Sequence, residues 1–409
     1  MQNPGALAWR TVALLACVAS LNYADRTSIS SVFPLLQRDL GLSNMQLAAL
    51  GSFFLWSYAA GSPLAGFLAD RWPRGRAVAI SLFAWSLVTI WSGLSRSSTE
   101  LLVSRVLLGL SECMYLPAAI ALIADHHPAS TRGRAMAIHL CGLNAGLVGG
   151  GALAGYLGET HGWRASLFVL GAVGIGMSVL CFLFLREGPG RLSKEAVQKQ
   201  QRPLGEQLRA MLSRPGYVMI AIQAALVSVG TWMFFNWMPL YFRESFGLSL
   251  ALAGFSGTAI LQVAAVAGAL AGGFLSDEMA VRVPRGGRLQ MMTICYVLCA
   301  PCLLGFLLPS AGMAFVSLCV VAFSVLRSMA TASETPTMCD MIPAEDRSTG
   351  QALMNMLNTM AGGVGVLIAG FLKADLGLGG VFAGVSALML LAALITGIVW
   401  RKQIAGRAS

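Results

Sequence analysis

Residues 66–70 read Gly66-Phe67-Leu68-Ala69-Asp70, and 207 positions further on the chain reads Gly273-Phe274-Leu275-Ser276-Asp277. Downstream, Asp125, Pro128, Arg132 and Gly155-Tyr156-Leu157 recur at an offset of 215 as Asp340, Pro343, Arg347 and Gly370-Phe371-Leu372. Landmarks that return in the same order mark a duplication, so the chain reads as two equivalent halves. In a hydrophobic chain, a duplication of this kind is the pattern of a carrier that rocks one half against the other around a site near the bilayer midplane.

The composition is that of an integral membrane protein. Of 409 residues, 56% are hydrophobic and 11% charged, and the mean hydropathy is +0.70. Apolar runs of roughly 20 residues or more suffice to cross a hydrocarbon core about 30 Å thick. They predict twelve helices near 11–34, 46–69, 77–95, 99–125, 133–157, 164–185, 217–241, 250–275, 289–309, 312–339, 348–372 and 379–400. Barrel strands are excluded, because they need only about ten residues of alternating polarity and these runs are apolar on every face. The expected fold is an all-α membrane protein, with twelve transmembrane helices in two pseudo-symmetric six-helix bundles. Residues 1–186 form the first bundle, 187–216 a cytoplasmic linker and 217–409 the second. Within the linker, residues 204–212 read either as an amphipathic helix on the membrane surface or as a solvated connector. Gly149, Gly150, Gly151 and Gly155 predict a face of close helix approach. The first apolar run continues through Asp25 and Arg26 to Pro34, too long for a cleaved leader, so the first helix is expected to be retained.

A net charge of +10 raises nucleic acid as a partner, but its distribution argues for topology. With both termini in the cytoplasm, 20 of the 28 Lys and Arg fall on that side, five on the other and three within the membrane. The positive-inside rule fixes that orientation, in a plasma or inner membrane. The nine cysteines lie inside predicted spans and read as small packing residues; no metal site and no cofactor are expected. No nucleotide-binding loop or nucleophile triad is visible, which argues against an enzyme and leaves ion or substrate gradients as the driving force.

Six ionisable residues interrupt the spans: Asp25, Glu112 and Glu334, Arg26, Arg105 and Arg327. Each charge at a bilayer centre costs about 2.5–3.5 kcal/mol, so six unpaired ones would outweigh a typical folding stability. Arg105 and Glu112 are two helical turns apart, about 10.5 Å, and share a face without touching; Glu112 is therefore expected to face helix 1. Arg327 and Glu334 repeat the seven-residue spacing, and the 215 offset places Arg327 at the position equivalent to Glu112. Symmetry and depth make Arg327 a second cationic contact for an anion. Glu334 remains open as a gate, a partner of Arg327 or a proton carrier. In helix 7, Trp232, Phe235, Trp237 and Pro239 read as interfacial anchors or cavity walls. Asn236 there, and Asn144 between Gly142 and Gly146 on helix 5, are amides that need partners in an apolar helix and suit a substrate hydroxyl. Gln223 and Gln262 are weaker versions. His139 and the loop histidines His126, His127 and His161 read chiefly as structural.

Gly66 to Arg71, followed by Arg74 and Arg76, resembles the loop 2–3 motif of the major facilitator superfamily, with Pro73 where many members have glycine. Asp70 caps a helix end among arginines, so Gly66, Asp70, Arg71, Arg74 and the repeat's Asp277 are expected to form a conformational latch. Within the superfamily, Asn22-Tyr23-Ala24-Asp25-Arg26, Tyr58, and Arg105 with Glu112 resemble the anion:cation symporter family. That resemblance implies uptake of a small organic anion, a carboxylate or sugar acid, together with protons. It implies that Arg26 and Tyr58 hold the carboxylate, with Asn22 beside them, and that Asp25 and Glu112 carry protons, with Arg105 in the same coupling set. The chemistry agrees: a guanidinium cannot lose its proton and presents a fork matched to a carboxylate, whereas Asp and Glu in a low-dielectric site can take up and release protons. The spinster-like branch, carriers of lysolipids or sphingoid lipids, is similar in Asn22 to Arg26, in Gly109 to Glu112 and in Gly162-Trp163-Arg164. The expected partners are therefore the anion, protons and the lipid bilayer, with no nucleic acid, and a monomer contains a complete pathway.

Overall fold

In the computed structural model, described for residues 4–187, 204–284, 286–308, 311–343 and 346–405, the regular structure is helical throughout. The helices are α1 (Pro4–Ser31), α2 (Phe33–Leu40), α3 (Asn44–Arg71), α4 (Arg74–Leu94), α5 (Ser98–Glu112), α6 (Tyr115–His126), α7 (Ala129–His161) and α8 (Trp163–Phe184). After these come α9 (Leu204–Leu212), α10 (Pro215–Phe246), α11 (Leu250–Arg282), α12 (Gly287–Leu304), α13 (Met313–Thr331), α14 (Glu334–Met341) and α15 (Arg347–Ala405).

Ten stretches of the described residues are long and apolar enough to cross a bilayer. The last, Thr349–Lys402, has 54 residues, enough for two crossings, and its backbone turns at Gly377, where φ is 65°. With α3, 28 residues long, the twelve spanning helices are complete. Local chemistry sets the turns between them. Gly41 ends α2 in the left-handed region (φ 63°), and Ser43 opens α3 through a reciprocal cap. There Gln46 N–H donates to Ser43 Oγ at 3.2 Å, and Ser43 N–H donates to Gln46 Oε1 at 2.9 Å.

Three predicted helices are interrupted. Helix 4 divides into α5 and α6 at Cys113–Met114, and helix 10 into α13 and α14 at Ala332–Ser333. Each break stands four residues before a proline, Pro117 and Pro336, whose ring excludes the carbonyl at i−4 and which supplies no N–H. Between α1 and α2 the break falls at Val32, and Pro34 stands in the first turn of α2, where its missing N–H has no intrahelical bond to lose. The break after α5 leaves Glu112 as the last residue of that helix.

The chain forms two compact units, one of residues up to 199 with Met238–Thr258, the other of residues 200–237 with Ala259 onward. In the first unit α7 packs along α1 through glycines four apart. A Cβ at Gly142 would lie 2.3 Å from Ala16 O, at Gly146 2.0 Å from Ser20 O, and at Gly150 2.4 Å from Ala24 Cα. Gly142 and Gly146 thus carry backbone-to-backbone packing between α1 and α7. Gly149, expected in the packed face, meets nothing within 4 Å, because it sits about 100° around the helix from Gly150. In the second unit Phe234 stacks on Phe382 and Phe323, with centroids 4.3 and 4.9 Å apart. The linker helix α9 docks on this unit: Met211 is buried, Arg214 Nη1 donates to Met341 O at 2.9 Å, and Thr349 Oγ1 donates to Gln207 Oε1 at 2.5 Å.

Candidate functional site

Asn22 and Arg26 are one turn apart on α1 and project together. Arg26 Nε stands 3.1 Å from Glu112 Oε2, and Arg26 Nη2 donates to Asn22 Oδ1 at 3.2 Å. The guanidinium is enclosed by three rings: its Cζ lies 4.5 Å from the Tyr23 centroid, 4.7 Å from Tyr58 and 5.1 Å from Phe54. Such faces stabilise a cation while excluding water. Phe54 is shared, since Arg105 Cζ lies 4.8 Å from its centroid, and Arg105 Nε donates to Leu50 O at 3.3 Å. Glu112 is fully buried, and Arg26 is 8% exposed. Asp25, the residue before Arg26, is turned about 100° away on the helix and lies beside Trp85 and Thr89 of α4, within electrostatic reach of Glu112 and Arg105.

Within this cluster Glu112 Oε1, Asn22 Nδ2 and Asp25 Oδ1 are buried without a hydrogen-bond partner among the described residues. Two carboxylate oxygens and one amide donor in this state are chemically open to a proton or to a polar ligand. Asn22, Asp25, Arg26, Tyr58, Arg105 and Glu112 are thus brought into one region of the first unit. Reading the sequence for charge passed over Phe54, Trp85 and Thr89. Phe54 stands four residues before Tyr58, a spacing that would have found it.

The second unit holds a separate polar cluster. Glu334 Oε1 accepts from Tyr296 OH at 2.9 Å and from Gln223 Nε2 at 3.0 Å, and Gln223 Nε2 also donates to Tyr296 OH at 3.0 Å. Arg327 Nη2 donates to Ser328 Oγ at 3.0 Å, and among the described residues it forms no ion pair. Tyr296 was missed, having no ionisable neighbour in sequence. Asn236 and Asn144 are not drawn into either cluster: Asn236 Nδ2 donates to Trp232 O at 3.2 Å and Asn144 Nδ2 to Leu140 O at 2.8 Å, each one turn back on its own helix. Trp237 is not an interfacial anchor. It is fully buried, and its Nε1 donates to Val366 O at 3.2 Å.

At the helix ends the duplication is repeated in ion pairs. Arg74 pairs with Asp125 and donates to Ala121 O at 3.3 Å; at the corresponding place Arg288 pairs with Asp340 at 2.8 Å and with Asp277 at 3.4 Å. Arg132 Nη2 donates to Ala124 O, and 215 positions on Arg347 Nη2 donates to Cys339 O. The side chains of Asp70 and Arg71 lie outside the described residues, and the Cα of Gly66 faces open space. Asp125, Asp340 and Arg288 are the ion-pair partners that the sequence reading did not assign.

The profile of the Major Facilitator Superfamily matches residues 15–326 and 258–407. The chain belongs to that superfamily. A protein named MFS-type efflux pump from Mycolicibacterium smegmatis is 28% identical over 401 residues, covering 95% of this chain and 90% of that one. A hexuronate transporter from Bacillus subtilis is 26% identical over 362 residues, covering 86% and 85%. The crystal structure of a bacterial homologue of the human lysosomal transporter Spinster, inward-facing and unoccupied, superposes with a TM-score of 0.82 at 20% identity, covering 99% of each chain. As a likeness of structure at that identity, the last speaks for the major facilitator fold. The chain is accordingly a membrane-spanning transporter of this superfamily, and its buried charges belong to a transport protein.

Proposed function

We propose that this major facilitator protein is a proton-coupled symporter of a small organic anion, a carboxylate or sugar acid, working by alternating access in a plasma or inner membrane with both termini cytoplasmic. The observation that carries the reading is the buried Arg26–Glu112 pair at 3.1 Å, closed in by Tyr23, Phe54 and Tyr58. A guanidinium so placed has one carboxylate already. A proton on Glu112 removes that competitor's charge and leaves the fork for the substrate carboxylate, with Asn22 and Tyr58 at its edges. Substrate and proton then occupy the site together, and loss of the proton restores the internal pair and expels the anion. Asp25, with its unpartnered Oδ1, is the second proton carrier, and Arg105 holds the field of both acids.

In this reading residues 1–186 and 217–409 are the bodies that rock, joined through 187–216, and the Arg74–Asp125 and Arg288–Asp340 pairs latch one conformation. Arg327, free of an ion-pair partner among the described residues, is the second cationic contact. The relative named for hexuronate supports a sugar acid as cargo, and the one named an efflux pump makes direction a point to measure. The test is counterflow in proteoliposomes of the purified full-length chain, using hexuronates, aldarates and unsubstituted dicarboxylates, with a lumenal pH dye. Exchange of at least one carboxylate with coupled proton movement is expected. Transport of a lysolipid but of no carboxylate contradicts the proposal.

A further inference from the structure

In the first unit α4 and α8 run antiparallel and pack closely through glycines along their length, at Gly75, Gly93, Gly171 and Gly174. Near one end, a Cβ at Gly75 would lie 2.9 Å from Leu185 O; further along, one at Gly174 would lie 2.1 Å from Ser86 Oγ. Between these pinches the seam opens into a cavity of about 290 Å³ lined by Ala79, Ile80, Phe83, Ser178, Val179, Phe182 and Leu183. Its shape follows from residue size. Ala79 and Ser178, 3% and 4% exposed, form a low floor, and Ser178 Oγ is turned onto its own helix at Ile175 O. Ile80, Phe83, Val179, Phe182 and Leu183 stand up as walls, and all five are exposed. The result is an exposed apolar slot between two helices that are each long and apolar enough to cross a bilayer.

One end of the slot is cationic. Arg76 lies four residues before Ile80 and seven before Phe83, on the same stripe of α4. Arg186 follows Leu183 by three residues, just past the end of α8. Both arginines are exposed, and neither forms an ion pair among the described residues. The nearby carboxylate, Glu187, accepts from Gly75 N–H at 2.9 Å and so is directed at the start of α4. Among the described residues, two guanidinium groups against one engaged carboxylate leave this end net positive.

We propose that the α4–α8 seam is a binding site for an anionic phospholipid, with one acyl chain in the slot and the phosphate held by Arg76 and Arg186. The charge complementarity selects the occupant: a zwitterionic lipid carries its own cation beside the phosphate, whereas a phosphatidylglycerol headgroup presents only the anion. The site is separate from the Arg26–Glu112 cluster and does not depend on which solute is carried.

Native mass spectrometry of the purified full-length chain, titrated with phosphatidylglycerol and with phosphatidylcholine of identical chains, tests this. Wild type is expected to take up phosphatidylglycerol at roughly tenfold lower concentration than phosphatidylcholine. Arg76→Gln with Arg186→Gln, both at exposed positions, should abolish that preference and leave phosphatidylcholine binding unchanged. Ser178→Phe, which fills the slot, should reduce retention of both lipids. Glycerol phosphate in excess should not displace the bound lipid. Equal binding of the two lipids by wild type, an undiminished preference in the double variant, or displacement by glycerol phosphate overturns the proposal.

Discussion

Arg26 Nε and Glu112 Oε2 meet 3.1 Å apart, 86 positions apart in sequence, with Glu112 fully buried. A pair so deeply withdrawn from water has little net stabilising value but a large penalty when only one partner is removed. That asymmetry gives the pair a stability signature separate from transport. Arg26→Met should lower stability by about 3–5 kcal/mol, since Glu112 is left without its counter-ion. Arg26→Met combined with Glu112→Met should recover most of that loss in detergent thermal unfolding, and a fully additive double variant would contradict an ion pair at this position.

Arg26→Lys keeps the charge but gives up the planar fork, which here reaches Glu112 and Asn22 at once. Apparent substrate affinity should fall at least about tenfold, close to 1.4 kcal/mol, while the protein remains folded. Concentration dependence of counterflow measures it. Arg327→Lys should weaken affinity too if its fork contacts cargo, and an unchanged value discards that contact.

The two helix-end ion pairs differ in burial, and their variants should differ accordingly. Asp125 and Arg74 side chains are 9% and 17% exposed, whereas Asp340 and Asp277 are 61% and 80% exposed. Asp277→Asn should change stability by less than about 1 kcal/mol, the range of solvent-exposed pairs. Asp125→Asn should slow transport several-fold, and exchanging the charges as Arg74→Asp with Asp125→Arg should restore part of the rate. Initial rates in proteoliposomes distinguish the two positions.

The glycine face of α7 predicts a contrast between near neighbours. Gly146→Ala forces a Cβ to 2.0 Å from Ser20 O, so α1 and α7 must separate, at a cost of roughly 1–3 kcal/mol. Gly149→Ala meets nothing within 4 Å and should be neutral or slightly stabilising. Thermal unfolding of the two variants side by side checks the packing.

Much of this architecture is legible because it rests on regular spacing. Apolar runs give the spans, and the landmarks from Asp70 to Asp277 and from Asp125 to Asp340 give the duplication. Glu112 could be directed at α1 because Arg105 occupies the same helical face two turns away. What depends on helix rotation and side-chain shape was hidden. Phe54 between Arg26 and Arg105, Tyr296 on Glu334 and Trp237 in the core are contacts between helices distant in sequence, and none bears a formal charge. The interruptions at Cys113 and Ala332 were encoded in Pro117 and Pro336 but masked by hydrophobic runs that continue through them. Asn144 and Asn236 each donate one amide N–H to the carbonyl one turn back on their own helix, a local contact that the spacing of polar residues does not announce.

The central claim, that Glu112 trades its hold on Arg26 for a proton when the anion binds, is tested most directly by one comparison. Proteoliposomes of wild type and Glu112→Gln, loaded with a pH dye and placed in an inward proton gradient, are assayed for accumulation and for exchange of the same carboxylate. Accumulation with lumenal acidification in wild type, and exchange without accumulation in Glu112→Gln, is the predicted result. Accumulation against its gradient by Glu112→Gln to the wild-type level contradicts it.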